Sequence, residues 1–318
     1  MKTFKAIVTL GPSILDSDKL KEINGLGKCI YRINGAHVDA NLAEKIINQV
    51  RSILKNPEIM IDLPGNKIRT ANLSDPIRLN KGEVFSLNNY EINYPFFYTH
   101  LKKGDIIKAN DSIFTFEVLE IEGTTIKFLS YSDGILLSNK GLHARGIHKE
   151  IPFFFEKDIK LIECAKKNKI GYVALSFVRT VDDVLQAKNY LDKTEISIFA
   201  KIETAMALEN LESILQEVSF INIDRGDLST DIDILELAEL QDKIIRTGLN
   251  AGKHVYLATQ FLKNMENNPI PLIPEIIDLC RTMKQGISGI QLSEETAVGK
   301  YPMDCVKLIF DVANKINE

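Results

Sequence analysis

No stretch of about 18 uncharged apolar residues occurs in the chain, and its first ten residues, Met1 to Leu10, lack the apolar core and small-residue end of a secretory signal. A membrane span and an exported protein are therefore not expected, and the cytoplasm is. Cysteine is scarce: Cys29, Cys164, Cys280 and Cys305 lie scattered in apolar contexts, with no Cys-x-x-Cys pair and no Cys/His ligand spacing. They read as buried structural thiols. An excess of one charge is also lacking, since 39 Lys and Arg stand against 43 Asp and Glu for a net charge of −4, with no long basic run. Nucleic acid is excluded as the main partner, and any anionic ligand must be held by a local cluster of cations. Repeats and low-complexity segments are missing too. With 45% hydrophobic and 26% charged residues over 318 positions, the composition is that of a folded chain of two domains, or of one large α/β barrel carrying an insertion.

What is present is an alternation. Short, β-branched apolar runs at 6–10, 29–33, 59–63, 171–175, 196–202, 220–223, 254–258 and 289–292 alternate with segments of helical period at 17–26, 40–54, 156–166, 181–191, 205–217, 232–250, 274–285 and 302–316. Near-continuous hydrophobic strands, each followed by an amphipathic helix, describe a parallel sheet, and eight such units close a (β/α)8 TIM barrel of the α/β class. One interval, 71–148, breaks the rhythm after the third strand. Its turn signals at 80–82, 103–105, 122–123 and 132–134 separate short alternating runs, so it reads as an inserted all-β domain, leaving 1–70 and 149–318 for the barrel.

Active sites of such barrels form at the C-terminal strand ends, and these are rich in polar groups here. The second strand leads to Arg32, Asn34 and His37, the third to Asp62 and Pro64-Gly65-Asn66-Lys67-Ile68-Arg69-Thr70. The fifth ends Lys201-Ile202-Glu203-Thr204, the sixth Asp224-Arg225-Gly226-Asp227, the seventh Ala258-Thr259-Gln260, the eighth Ser293-Glu294-Glu295-Thr296. Strand period two puts Lys201 and Glu203 on one face, where Asp227 from the neighbouring exit can join them. Two carboxylates with oxygens free to face one ion suit magnesium or manganese. Gly226 lets backbone approach a ligand closely, and Lys201, Arg32 and Arg69 supply the positive charge that phosphoryl transfer needs. Taken singly, Lys-x-Glu is a surface ion pair and Arg-Gly-Asp a turn; charged groups converging at five of the eight exits argue for a polar ligand site. His100, His143 and His254 read as structural, and Lys102-Lys103 as a solvated turn.

These residues resemble the pyruvate kinase family over essentially the whole chain. Leu10-Gly11-Pro12-Ser13 is similar to its first strand exit, Arg32-Ile33-Asn34-Gly35-Ala36-His37 to its Arg-x-Asn-x-Ser-His segment, and Asp62 to Thr70 to its Asp-x-x-Gly-x-x-Ile-Arg-Thr segment. Ser176-Phe177-Val178-Arg179, Lys201-Ile202-Glu203, Arg225-Gly226-Asp227-Leu228, Ala258-Thr259-Gln260 and Ser293-x-Glu295-Thr296-Ala297 follow in the family's order. Within the insertion, Asn110-Asp111 and Ser138-Asn139-Lys140-Gly141 are similar to motifs of the family's mobile lid domain. The resemblance implies phosphoryl transfer from phosphoenolpyruvate to ADP, giving pyruvate and ATP. It implies that Glu203 and Asp227 hold the divalent metal, and that Lys201 stabilises the transferring phosphoryl group and developing enolate. Arg32 would bind phosphate, Gly226 and Asp227 would meet the substrate, and Thr259 would sit near the carbon to be protonated. Pro12, Asn34, His37, Arg69 and Lys140 would meet the nucleotide.

The departures carry expectations of their own. Potassium-dependent members hold a monovalent cation with equivalents of Asn34, Asp62 and a serine that is Ala36 here. Lys67 stands where those members have glutamate, and Leu63 where they have threonine. An ammonium from Lys67 can replace the charge of potassium, so potassium is not expected to be required. The chain stops where the last barrel helix is read. The family's C-terminal regulatory domain, its allosteric control by sugar phosphates and its usual tetramer are accordingly not expected, and a monomer or barrel-mediated homodimer is. Pro64 in place of lysine and Glu294 in place of glycine alter the mouth. They keep open a specialised enzyme on the same scaffold, using the metal-enolate site for another acceptor or for decarboxylation of a 2-oxo acid.

Overall fold

The computed structural model describes residues 4–110, 113–144, 146 and 151–317. Three strands come first, β1 Lys5–Thr9, β2 Cys29–Asn34 and β3 Glu58–Asp62. Seven shorter ones follow: β4 Ile77–Leu79, β5 Val84–Asn88, β6 Ile106–Ala109, β7 Phe114–Glu122, β8 Thr125–Ser130, β9 Gly134–Leu136 and β10 Leu142–Ala144. The last five are β11 Tyr172–Leu175, β12 Ser197–Ile202, β13 Phe220–Asp224, β14 His254–Ala258 and β15 Gly289–Leu292. The first three and last five close a parallel barrel in the order β1-β15-β14-β13-β12-β11-β3-β2, the (β/α)8 architecture expected from the eight apolar runs. Among the described residues no helix is long and apolar enough to cross a membrane.

Helices Ser17–Leu26 and Ala40–Ile53 start where Asp16 and Asp39 accept backbone N–H groups of the first turn. Two expected helices differ. The segment 205–217 is two helices, Ala205–Glu209 and Leu211–Glu217, because Asn210 leaves the helical region and turns its side-chain amide back onto the Met206 carbonyl. The segment 232–250 becomes helical in its α form only at Leu237; apolar Ile234 and Leu235 extended the periodic pattern, but both are exposed, so no burial stabilises a helix there. Arg225-Gly226-Asp227, read as an exit turn, opens a short helix, Arg225–Asp231.

Ile7, Ile30, Met60, Ala174, Phe199 and Tyr256, from six different strands, form one buried cluster inside the barrel, with Tyr172 and Phe220 against it. Aromatic rings carry much of this packing: Phe199 and Phe220 stack at 4.7 Å, and Phe199 meets Tyr256 edge-on at 5.1 Å. Gly289 makes room for it, since a Cβ there would lie 2.0 Å from the Lys5 carbonyl oxygen and 2.5 Å from the Tyr256 ring. Following five of these strands two residues onward, from Ile7, Ile30, Met60, Ala174 and Phe199, leads from the apolar cluster to Thr9, Arg32, Asp62, Ser176 and Lys201.

The described residues within 66–152, with 230–234, form a second compact unit. Its five-stranded antiparallel sheet runs β10-β6-β7-β8-β5, and β4 pairs with β9. The β7–β8 hairpin turns at Gly123, whose φ of +60° favours glycine. Phe97, Phe116 and Phe128 are buried in this unit, and 3-10 turns at Asn89–Glu91 and Phe97–His100 interrupt its strands. The expected boundary at 148/149 and Asp111 lie outside the described residues.

Candidate active site

The polar group that period two carries to the strand ends is tightly connected. Arg32 donates from Nε to Asp62 Oδ2 at 2.7 Å and from Nη1 to Thr9 Oγ1 at 2.8 Å. Lys201 Nζ lies 2.6 Å from Glu203 Oε1, 3.3 Å from Asp224 Oδ2 and 3.5 Å from Asp62 Oδ2, and donates to Ser176 Oγ at 3.2 Å. The other Glu203 oxygen accepts the Phe177 N–H at 2.8 Å. Arg32, Asp62, Lys201 and Glu203 are all buried. Carboxylates at 203, 224 and 227 each offer an oxygen, all within 4.8 Å of one another.

Electrostatics follows from this packing. Burial opposes the Lys201 ammonium, but Asp62, Glu203 and Asp224 outweigh it and hold that group charged, above the ordinary lysine range. Burial pushes the Glu203 carboxyl above the carboxylate range; Lys201 pulls it back, while Asp224 and Asp227 push the same way as burial. Glu203, Asp224 and Asp227 thus crowd their oxygens together, a mutual repulsion that a divalent cation would relieve.

Thr259 follows β14 with φ of +80°, left-handed backbone that a β-branched residue rarely adopts. Its hydroxyl donates to Asp224 Oδ1 at 2.5 Å, and a Cβ on Gly226 would come within 3.0 Å of its methyl group. The structure therefore brings together Arg32, Asp62, Lys201, Glu203, Gly226, Asp227 and Thr259. Asn34 lies at the end of β2, its side-chain oxygen accepting the Ala36 N–H at 3.1 Å, with His37 one turn on. Pro12 follows Gly11, whose close approach to Ala297 leaves no room for a Cβ. Lys67, Arg69 and Lys140 belong to the second unit, where Arg69 bridges to Gly141 and the Thr70 N–H bonds the Lys140 carbonyl. The Lys67 side chain there lies against Gly141.

A family model for the barrel domain of pyruvate kinase matches residues 1–306. The chain belongs to the pyruvate kinase family. It is 32% identical to a pyruvate kinase of Thermotoga maritima over 99% of this chain and 71% of that protein, and 32% identical to one of Thermococcus litoralis over 99% and 70%. A pyruvate kinase of Borreliella burgdorferi is 30% identical over 100% of this chain and 69% of its own length. Within this pyruvate kinase-like enzyme, the sequence reading gave no role to Asp224, Ser176 or Thr9. Asp224 had a signal: it stands two residues after Asn222 on β13, hence on the same face, and one exit away from Lys201 and Glu203.

Proposed function

We propose that this chain transfers a phosphoryl group from phosphoenolpyruvate to ADP, giving pyruvate and ATP, with a divalent cation and without potassium. One observation carries the reading: in a pyruvate kinase-family barrel, the Lys201 ammonium lies buried among carboxylates at the strand ends, 2.6 Å from Glu203. Glu203 and Asp227 would hold magnesium or manganese, for which an all-carboxylate donor set is suited. Such an ion, when bound, supplies charge that screens the substrate's carboxylate and phosphate oxygens.

Lys201 meets charge that develops on the transferring phosphoryl group and on the enolate oxygen; its ammonium needs no reorganisation, being held charged in advance. Arg32 binds phosphate with a guanidinium whose orientation Asp62 and Thr9 have already fixed. Gly226 keeps the approach to Thr259 open, and Thr259 stands at the carbon that gains a proton. For Pro12, Asn34, His37, Arg69 and Lys140 alike, the nucleotide role rests on the resemblance of their segments.

Potassium independence is supported by the loop after β2. Ala36 has no side-chain oxygen to offer, the Asn34 side-chain oxygen accepts the Ala36 N–H, and the Ala36 carbonyl accepts the Lys157 ammonium at 3.0 Å. A coupled assay of pyruvate formation from phosphoenolpyruvate and ADP, with magnesium or manganese and with or without potassium, tests the whole reading. Turnover in all potassium-free mixtures supports it. No turnover, alongside metal-dependent binding of oxalate by calorimetry, would sink it and direct the search to other acceptors and 2-oxo acids.

A further inference from the structure

We infer that Asp224 is a positioning residue that orients the Thr259 hydroxyl and tempers the Lys201 ammonium; the inference rests on the proposed reaction and names a further residue for it. Asp224 is nearly buried at the end of β13, and its two oxygens are differently engaged. Oδ1 accepts the Thr259 hydroxyl at 2.5 Å, and Oδ2 lies 3.3 Å from Lys201 Nζ. One carboxylate thus joins the group assigned to phosphoryl and enolate charge to the group assigned to the reacting carbon.

The surroundings hold Thr259 in place for this contact. Its carbonyl accepts from Arg225 Nε at 3.1 Å and Nη2 at 2.6 Å, and Arg225 is itself fixed by Asp278 and by the Phe261 ring 3.9 Å below it. Thr259 and Gln260 both keep positive φ, a conformation of the kind that persists only where neighbours over-determine it. A threonine hydroxyl has one hydrogen. With that hydrogen given to Asp224, Thr259 can meet a water or substrate only as an acceptor. Asp224 therefore decides which chemistry Thr259 can offer, while its charge beside Lys201 weakens the pull of that ammonium on a substrate phosphate.

Removing the carboxylate should have two effects of opposite sense. Without a carboxylate to take the Thr259 hydrogen, hydrogen exchange at the pyruvate methyl group slows, and in Asp224→Asn the one amide oxygen must face the Lys201 ammonium, which turns the NH2 to Thr259; without a negative charge beside Lys201, phosphoenolpyruvate binds more tightly. The experiment compares wild type with Asp224→Asn, Asp224→Ala, Thr259→Ser and Thr259→Ala. It follows deuterium entry into the pyruvate methyl group by NMR with manganese-free magnesium buffers, kcat and KM for phosphoenolpyruvate, and Mn2+ affinity by calorimetry. Asp224→Asn should slow exchange about tenfold and lower both kcat and KM, with Mn2+ affinity unchanged within about threefold; Thr259→Ser should keep exchange near wild type, and Asp224→Ala combined with Thr259→Ala should be no slower than either alone. A purely structural role would not lower kcat and KM together.

Unchanged exchange in Asp224→Asn overturns the inference, and that isosteric variant decides the matter if Asp224→Ala does not fold. A fall in Mn2+ affinity of about tenfold or more also overturns it, by making Asp224 a metal ligand. Methyl exchange in wild type without phosphoenolpyruvate–ADP turnover would sink the proposed function and leave the Asp224 relation to be read from the exchange. Wild-type turnover with exchange untouched by the variants would do the reverse, and a wild type showing neither overturns both.

Discussion

Asp62 receives Arg32 through a hydrogen bond of 2.7 Å between Oδ2 and Nε, and the same oxygen lies 3.5 Å from the Lys201 ammonium. One buried carboxylate therefore offsets part of two buried cations. Asp62→Ala takes from buried Arg32 the carboxylate it donates to, while Lys201 keeps Glu203 and Asp224; this should cost about 3 kcal/mol of stability and free Arg32 to leave its orientation. Urea unfolding and the KM for phosphoenolpyruvate check this: a lower midpoint and a raised KM are expected, and a midpoint within the error of wild type would contradict the account.

Lys201→Ala removes the ammonium but neither carboxylate of the pair Glu203 and Asp227. Phosphoryl transfer should fall by about 10² to 10³-fold, in the range for loss of one preorganised charge-stabilising group. Divalent metal affinity should be kept or increased, because a cation 2.6 Å from Glu203 is gone. Mn2+ titration by calorimetry beside steady-state kinetics separates the two effects. Near wild-type turnover would overturn the role given to Lys201.

Much of this was legible in the sequence, because the information was of the kind that local patterns carry. Eight apolar runs gave the eight barrel strands, and period two placed Lys201 beside Glu203 as found. What was not legible depended on burial and on neighbours across strands. Ile234 and Leu235 extended a helical pattern while being exposed, and Asn210 broke a helix whose apolar period ran through it unbroken. Asp224 carried only the face it shares with Asn222; its significance lies in Thr259 and Lys201, which reach it from the two flanking strands.

Asp158 offers a pH dependence with a definite sign. Burial lifts its carboxyl from 3.8 to about 6, against the opposing pull of the Phe155 and Gly65 N–H groups it accepts. The folded state thus holds this proton more tightly than the unfolded chain does. Asp158 contributes most below about pH 4 and loses that contribution as pH rises to about 6, by up to ~1.4 kcal/mol per pH unit. Asp158→Asn lacks the titration. Urea unfolding of both proteins from pH 4 to 7 should show wild type losing stability relative to the variant across that window, and a wild type that gains stability relative to the variant as pH rises would refute the burial argument.

The loop after β2 makes the sharpest kinetic prediction. A monovalent cation site needs oxygens turned toward the ion, and this loop turns its own inward: Asn34 Oδ1 to the Ala36 N–H, and the Ala36 carbonyl to Lys157. At fixed ionic strength, replacing tetramethylammonium with potassium should change turnover by less than about twofold, as the proposed potassium independence requires. Lys67→Glu reverses the charge to which the proposed potassium independence assigns the cation's part. Alone it should lower turnover by about tenfold; combined with Ala36→Ser, which restores a side-chain oxygen, it should make turnover rise with potassium. A wild type stimulated severalfold by potassium would contradict the first half. A double variant that stays indifferent to potassium would show that the charge of Lys67 and the missing hydroxyl of Ala36 are not what separates this site from a potassium-binding one.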